Sequence, residues 1–218
     1  MKNADDIRLT WYGHSCFSLE KNGFTIILDP FEDNNVPGYP HLRLQGDLVL
    51  CSHEHGDHNA VQCVKMNNNP LSPVNPFKIT EIHSWHDDVN GEKRGPNTIR
   101  IFDDGKYRIA HMGDIGCMPS PEQKQQLKDI DVMLMPVGGF YTMDPKEVYA
   151  LVQELQPDMM IPMHYREGIF GYTEIGTLDA FLVLCNNVSR HNSNQVTLPK
   201  DTKSGTVVLS LPVEYTSC

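Results

Sequence analysis

The stretch Cys51-Ser52-His53-Glu54-His55-Gly56-Asp57-His58 sets three imidazoles and two carboxylates within six residues. Imidazole and carboxylate together suit zinc, iron, manganese or nickel, and the cluster lacks the thiolate pairs of a closed structural zinc site. Side chains alternate along an extended segment, so His53 and His55 point the same way and can reach one metal. Asp57 and His58 fall past the turn at Gly56, placed to hold a second metal beside the first. The plainer alternative is a polar loop that happens to be rich in histidine, but this spacing matches a ligand pattern. The cluster directly follows Asp47-Leu48-Val49-Leu50, an apolar run that reads as a short buried strand carrying it to a strand end.

Composition bounds the rest. A chain of 218 residues with 39% hydrophobic and 21% charged content fits one compact globular domain over residues 1–218. Eighteen basic against 28 acidic residues give a net charge of −10 without a Lys/Arg run, which argues against a broad nucleic-acid footprint. No apolar core of a signal peptide follows Met1, and nowhere do ~18 apolar residues run together, so a cytoplasmic protein without a membrane partner is expected. Cys16, Cys51, Cys63, Cys117, Cys185 and Cys218 are scattered with no C-x-x-C pair and read as reduced thiols. Cys51 and Cys117 lie close to proposed ligands, where they can sense oxidants or simply pack; packing is the preferred reading. Neither a G-x-S-x-G elbow nor a P-loop is present.

Several elements must position the cluster. Alternating residues predict strands over Ile7–Trp11, Cys16–Leu19 and Phe24–Leu28, the last ending at Asp29-Pro30. Phe31 to Gln45 has no periodicity and reads as a loop over the site that can serve as a lid; Ala60 to Met66 reads as a short helix. A strand follows over Phe77–His83, then a hairpin of Asn97–Asp103 and Lys106–His111 around Asp104-Gly105. Ser120-Pro121 and Asp144-Pro145 are N-cap and N1 pairs that open two helices, the second with an apolar face at Val148, Leu151, Val152 and Leu155. Buried strands at Asp131–Met135 and Met159–Met163, a helix over Thr177–Leu184 and a closing edge strand over Gly205–Leu211 complete the expectation.

His-x-His-x-Asp-His after a hydrophobic strand resembles the signature of the metallo-β-lactamase superfamily, whose members are αββα sandwiches of two mixed sheets flanked by helices, with a metal site at one edge. The flavodiiron branch of that superfamily is less similar, since it carries Glu where this chain has His55. Trp11-Tyr12-Gly13-His14-Ser15 and Leu28-Asp29-Pro30 resemble the family's opening strands and first acidic motif. His86-Asp87, Gly91 and Arg94-Gly95-Pro96-Asn97 are similar to a stretch of the small hydrolase branch related to ascorbate-6-phosphate lactonases, which favours His86 over its rival His83 as the next ligand.

This resemblance implies that His53, His55 and His86 hold a first metal, that Asp57, His58 and His164 hold a second, and that Asp114 bridges them. It also implies that Asp29 orients a ligand histidine; its other reading is a turn-capping Asp before Pro. His111, on a strand three positions before Asp114, is expected beside the ligands or in the core. Arg94, Asn97, Tyr165 and Arg166 are candidate substrate contacts, with the Gly138-Gly139 loop as a pocket wall. The expected cofactors are two divalent ions, zinc first, with manganese, iron or nickel also compatible. Two metals ~3.5–4 Å apart lower the pKa of a shared water toward ~7, and the resulting hydroxide is the expected nucleophile, with Asp57 orienting water or passing a proton. The expected function is hydrolysis of a small, anionic ester, lactone or phosphodiester. A metal-holding sensor without turnover and a metal-dependent nuclease are the alternatives, and oligomeric state is left open.

Overall fold

The computed structural model describes residues 5–67, 73–199 and 205–211. Its strands are β1 (Ile7–Trp11), β2 (Phe17–Lys21), β3 (Phe24–Leu28), β4 (Leu44–Gly46), β5 (Leu48–Leu50), β6 (Val64–Met66), β7 (Lys78–Trp85), β8 (Pro96–Asp103), β9 (Arg108–His111), β10 (Val132–Pro136), β11 (Met159–Met163), β12 (Val188–Arg190), β13 (Gln195–Leu198) and β14 (Gly205–Val208). Helices α1 (Pro121–Gln126), α2 (Pro145–Leu155) and α3 (Leu178–Leu182) fall between β9 and β12.

Two mixed sheets form a sandwich. One runs β13-β1-β2-β3-β5, antiparallel except for the parallel β3–β5 pair. The other runs β12-β14-β11-β10-β9-β8-β7, parallel from β12 to β9 and antiparallel beyond. One apolar cluster spans both, joining Leu9, Phe17 and Leu19 of the first sheet to Ile101, Ile109 and Leu134 of the second. Every residue of β10 and β11 is buried, as expected of parallel strands covered on both faces by sheet and helix. Helix α2 seats Val148 and Leu151 in the same cluster. Both longer helices open as the sequence predicts: Ser120 and Asp144 close capping boxes with Gln123 and Glu147, each followed by Pro.

Some expectations are corrected. Ala60–Met66 is no helix but one 3-10 turn at Val61–Cys63 running into β6, which pairs with β4. Of this segment only Ala60 and Val64 are buried, too few to anchor a helical face. The Phe31–Gln45 loop is no free lid: Phe31, Val36, Tyr39 and Leu42 pack with Cys16, Ile27 and Phe170 in a second core outside the first sheet. β14 is not a closing edge strand, because β12, which sequence patterning misses along with β13, pairs beyond it. Residues 212–218, with Cys218, lie outside the described part; the other five cysteines are free thiols. Among the described residues no helix is long and apolar enough to cross a membrane.

Candidate metal centre

Six strands deliver the site from their carboxyl ends. His14 follows β1, Asp29 follows β3 and the His53–His58 turn follows β5 in the first sheet; His86, Asp114 and His164 follow β7, β9 and β11 in the second. The site therefore straddles both sheets at one end of the sandwich, where neighbouring strand ends leave a crevice. His14, Asp29 and His164 have φ of +48°, +44° and +51°, a left-handed conformation rarely adopted by residues other than glycine. Gly113, at φ +56°, turns the chain into Asp114; a Cβ there would stand 2.2 Å from Asn97 Oδ1 and 2.6 Å from Ser52 Cβ.

Asp114 is the hub. Its Oδ2 lies 3.2 Å from His58 Nε2, 3.2 Å from His86 Nε2 and 3.0 Å from His164 Nε2. Asp57 Oδ2 lies 3.5 Å from His58 Nε2, 3.9 Å from His164 Nε2 and 3.2 Å from His14 Nε2. His53, His55 and His86 form a second group, with the His53 and His86 rings 4.7 Å apart and nearly perpendicular. The first group is His14, Asp57, His58 and His164, and His53, His58 and Asp114 make a third; in each, one nitrogen or oxygen per residue lies within 4.8 Å of the others.

Neighbouring hydrogen bonds set the tautomers. Asp29 accepts from Ser52 N (2.7 Å), Ser52 Oγ (2.5 Å) and His58 Nδ1 (2.8 Å). The single Ser52 hydroxyl proton goes to Asp29, so Ser52 Oγ accepts from His53 Nδ1 at 2.9 Å. His86 Nδ1 donates to the Tyr141 carbonyl at 3.1 Å. All three imidazoles thus carry their proton on Nδ1 and aim a bare Nε2 lone pair at Asp114 or its surroundings, the arrangement of a metal-ligating histidine. The Nε2 atoms of His53, His58 and His164 and Oδ1 of Asp114 are buried and make no hydrogen bond. Buried polar atoms normally have partners. This convergent set of bare nitrogens and carboxylate oxygens fits divalent metal, a test of donor chemistry independent of sequence motif.

Without metal, the electrostatics differ from one imidazole to the next. Burial lowers His53 to about 3, with His58 adding to the effect. Burial and the nearby His164 lower His14 to about 4. At His58 burial works against the charge, but Asp114 and Asp57 outweigh it and raise the imidazole well above its usual value. Burial likewise opposes ionisation of Asp114, yet His164 and His58 hold its carboxyl well below the ordinary range. Asp29 is drawn to about 2 in spite of burial, by His111 and by the His58 hydrogen bond.

Each predicted residue can now be placed. His53, His55, Asp57, His58, His86, Asp114 and His164 converge, and Asp29 backs His58 directly. The rival His83 is exposed and packs edge-on against Trp85. His111 is buried, donates to the Ser15 carbonyl at 3.0 Å and accepts from Gly113 N at 3.2 Å, so it steadies the turn before Asp114. Arg94 lines the cavity, its guanidinium 5.4 Å over the Tyr141 ring. Three substrate contacts are corrected. Asn97 is fully buried, where its Oδ1 accepts from Asp114 N at 2.9 Å and its Nδ2 donates to Met112 O and Ser84 Oγ. Tyr165 is a core residue packed on Trp11. Arg166 does not line the cavity, and its buried Nε makes no hydrogen bond.

Sequence reasoning missed His14, Tyr141 and Tyr172. Each is a single residue on a separate loop; the Gly13-His14-Ser15 turn and the Gly138-Gly139 loop that carries Tyr141, expected as a pocket wall, were the hints, and Tyr172 had none. Asp87 was also missed as a structural centre: it accepts four backbone amides, from Val89, Gly91, Lys93 and Arg94, and so shapes the turn between His86 and Arg94.

The profile of the beta-lactamase superfamily domain matches residues 8–164. A metal-dependent hydrolase of Thermoplasma acidophilum is 30% identical over 193 residues, covering 74% of this chain and 84% of its own. One from Methanopyrus kandleri is 28% identical over 73% of this chain and 84% of its own. Among solved structures, a protein of Thermotoga maritima assigned as a Zn-dependent hydrolase of the metallo-beta-lactamase superfamily superposes with a TM-score of 0.73 at 31% identity, over 94% of this chain and all of that one. The strand-end histidines and aspartates, the two-sheet sandwich and these likenesses together make the chain a member of the beta-lactamase superfamily, among its metal-dependent hydrolases.

Proposed function

We propose that this metal-dependent hydrolase works with two divalent ions on a small anionic ester, lactone or phosphodiester. The observation that carries the reading is Asp114 Oδ2 standing 3.0–3.2 Å from three imidazole nitrogens that belong to two separate ligand groups. In this reading His53, His55 and His86 hold one ion, Asp57, His58 and His164 hold the other, and Asp114 serves both. Zinc is the first candidate, supported by the name of the Thermotoga maritima relative and by the nitrogen-rich donor set. Bound divalent metal supplies Lewis acidity and a water-derived nucleophile at neutral pH.

The chain's own residues do the rest. Asp29, Ser52 and the Tyr141 carbonyl hold three imidazoles in the tautomer that leaves Nε2 free. Asp57, the less buried of the two central carboxylates, is placed to orient water or to move a proton to the leaving group. Arg94 makes no carboxylate ion pair among the described residues, although the chain carries a net charge of −10. Stacked over Tyr141 at the cavity wall, it is positioned to bind a carboxylate or phosphate of substrate. A cavity of about 330 Å³ suits a small molecule. The apolar cluster shared by both sheets supports reading residues 1–218 as one domain, and the free thiols suit a reducing, cytoplasmic setting.

Elemental analysis of protein purified without chelator, paired with assays on bis-p-nitrophenyl phosphate and a simple lactone, tests the proposal. Close to two metals per chain with turnover of either substrate is the expected result. Bound metal without any turnover would instead make the chain a metal-holding sensor, and folded protein that takes up no metal would overturn the site.

A further inference from the structure

His14 stands outside the ligand set proposed above, although one of its ring nitrogens lies within 4.8 Å of donor atoms of Asp57, His58 and His164. The residue is completely buried in its left-handed turn. Its carbonyl accepts the indole N–H of Trp11 at 3.0 Å and the backbone N–H of His164 at 3.3 Å, so it is fastened both to β1 and to the end of β11. Its ring centroid lies 4.1 Å from that of His164, and its Nε2 lies 3.2 Å from Asp57 Oδ2. Backbone held in this conformation against its intrinsic preference is a reason to look for a role in the side chain.

One contrast separates His14 from its histidine neighbours. His58, His86 and His164 each come within 3.2 Å of Asp114, whereas His14 pairs only with Asp57. His53, His58 and His86 donate from Nδ1, but His164 Nδ1 makes no hydrogen bond, and neither does the buried His14 Nδ1. A proton on that nitrogen would be left without an acceptor in the interior, so it belongs on Nε2, where the Asp57 carboxylate accepts it. We propose that His14 is a positioning residue for Asp57: its Nε2–H donates to Asp57 Oδ2 and holds that carboxylate toward His58 and His164. The inference rests on the reading of Asp57, His58 and His164 as ligands of the second metal. It assigns to the Trp11–Ser15 turn the role that Asp29 has toward His58, a neighbour that fixes a ligand without binding metal itself.

The test compares His14→Gln, which keeps an N–H donor at nearly the reach of imidazole Nε2, with His14→Leu, which removes it. Stepwise zinc affinities of the full chain are measured by chelator competition, and cobalt(II) absorption spectra report the ligand field. His14→Leu is expected to weaken the second equivalent about 10- to 100-fold, as loss of outer hydrogen bonds does elsewhere. His14→Gln is expected to recover most of that loss with an unaltered cobalt spectrum, and the first equivalent should stay the same in both. An unchanged second equivalent in His14→Leu overturns the proposal. A changed cobalt spectrum in His14→Gln also overturns it, by making His14 a ligand. Should His14→Leu fail to fold, ¹⁵N shifts of the wild-type imidazole decide: the Nε2–H tautomer supports positioning, the Nδ1–H tautomer refutes it. A wild-type chain that binds a single ion would be a different failure, that of the two-metal reading itself.

Discussion

Asp29 governs two histidines through one carboxylate, taking His58 Nδ1 directly and His53 Nδ1 by way of Ser52 Oγ. Asp29→Asn puts an amide where His58 needs an acceptor, and metal affinity is expected to fall about 10- to 100-fold, or ~1.4–2.7 kcal/mol. Ser52→Ala should cost less, because only the His53 tautomer is released. Chelator competition measures both; an Asp29→Asn chain with wild-type affinity would break the argument. Arg94 carries a separate prediction at the cavity wall. In Arg94→Gln the KM of an anionic ester should rise at least about tenfold, the loss of one charge-assisted contact, while a neutral ester of equal size is turned over as before. Equal effects on both esters would make Arg94 a structural residue. Of the proposed ligands, His53, His55, Asp57 and His58 were legible because they lie within one turn, and His86, Asp114 and His164 only through the resemblance to the family's later motifs. His14 and Tyr172 were not, since each reaches the site from a loop whose path depends on distant packing.

The turn from Asp87 to Gly95 ties His86 to Arg94, and four backbone amides converge on one carboxylate to shape it. Burial alone would raise the Asp87 pKa, but those amides draw it down to about 2. Because the folded value lies below the unfolded one, its stabilisation is complete above pH ~4 and is lost as pH falls toward 2. Asp87→Asn removes the charge at every pH, with an expected loss of roughly 1–3 kcal/mol and a Tm several degrees lower. Calorimetry at pH 7 checks this, and weaker metal binding should accompany it as His86 loosens. Gly113→Ala acts on the next strand end: its Cβ would collide with Asn97 and Ser52, so Asp114 is expected to shift and metal uptake to fail in a chain that still folds. Elements with local chemical signals were the readable ones, as with Ser120-Pro121, Asp144-Pro145 and the Asp104-Gly105 hairpin. β4, β6 and β12 have three residues each, and long-range pairing creates them, so no local pattern announces them.

At the scale of the molecule, two sheets meet at an edge crowded with buried imidazoles and carboxylates, and its protonation should govern stability whenever metal is removed. Burial lowers His14 to about 4 and His53 to about 3, and also depresses His55 and His111. Below pH ~6.5 the unfolded chain therefore takes up protons at these positions that the folded chain does not, and stability falls with pH. At His58 and His86 burial is outweighed by Asp114, the folded values are raised, and the stability they contribute disappears as pH climbs through them. Metal-free protein should accordingly be most stable near pH 6.5, with Tm falling on either side and more steeply below pH ~4, where the unfolded chain takes up protons at Asp29, Asp57 and Asp114 that the folded chain does not. Zinc bound at the proposed site would change this profile. A metal that binds only the folded arrangement adds ~4 kcal/mol at a thousandfold excess over Kd. Metal-free His58 and His86 hold a proton up to their raised folded values and must release it to bind, so the gap between metal-loaded and metal-free Tm should narrow as pH falls through those values. Differential scanning calorimetry of chelator-treated and zinc-loaded samples from pH 4 to 9 measures both curves. A gap that stays constant across that range would mean that the histidines at the strand ends do not hold the metal.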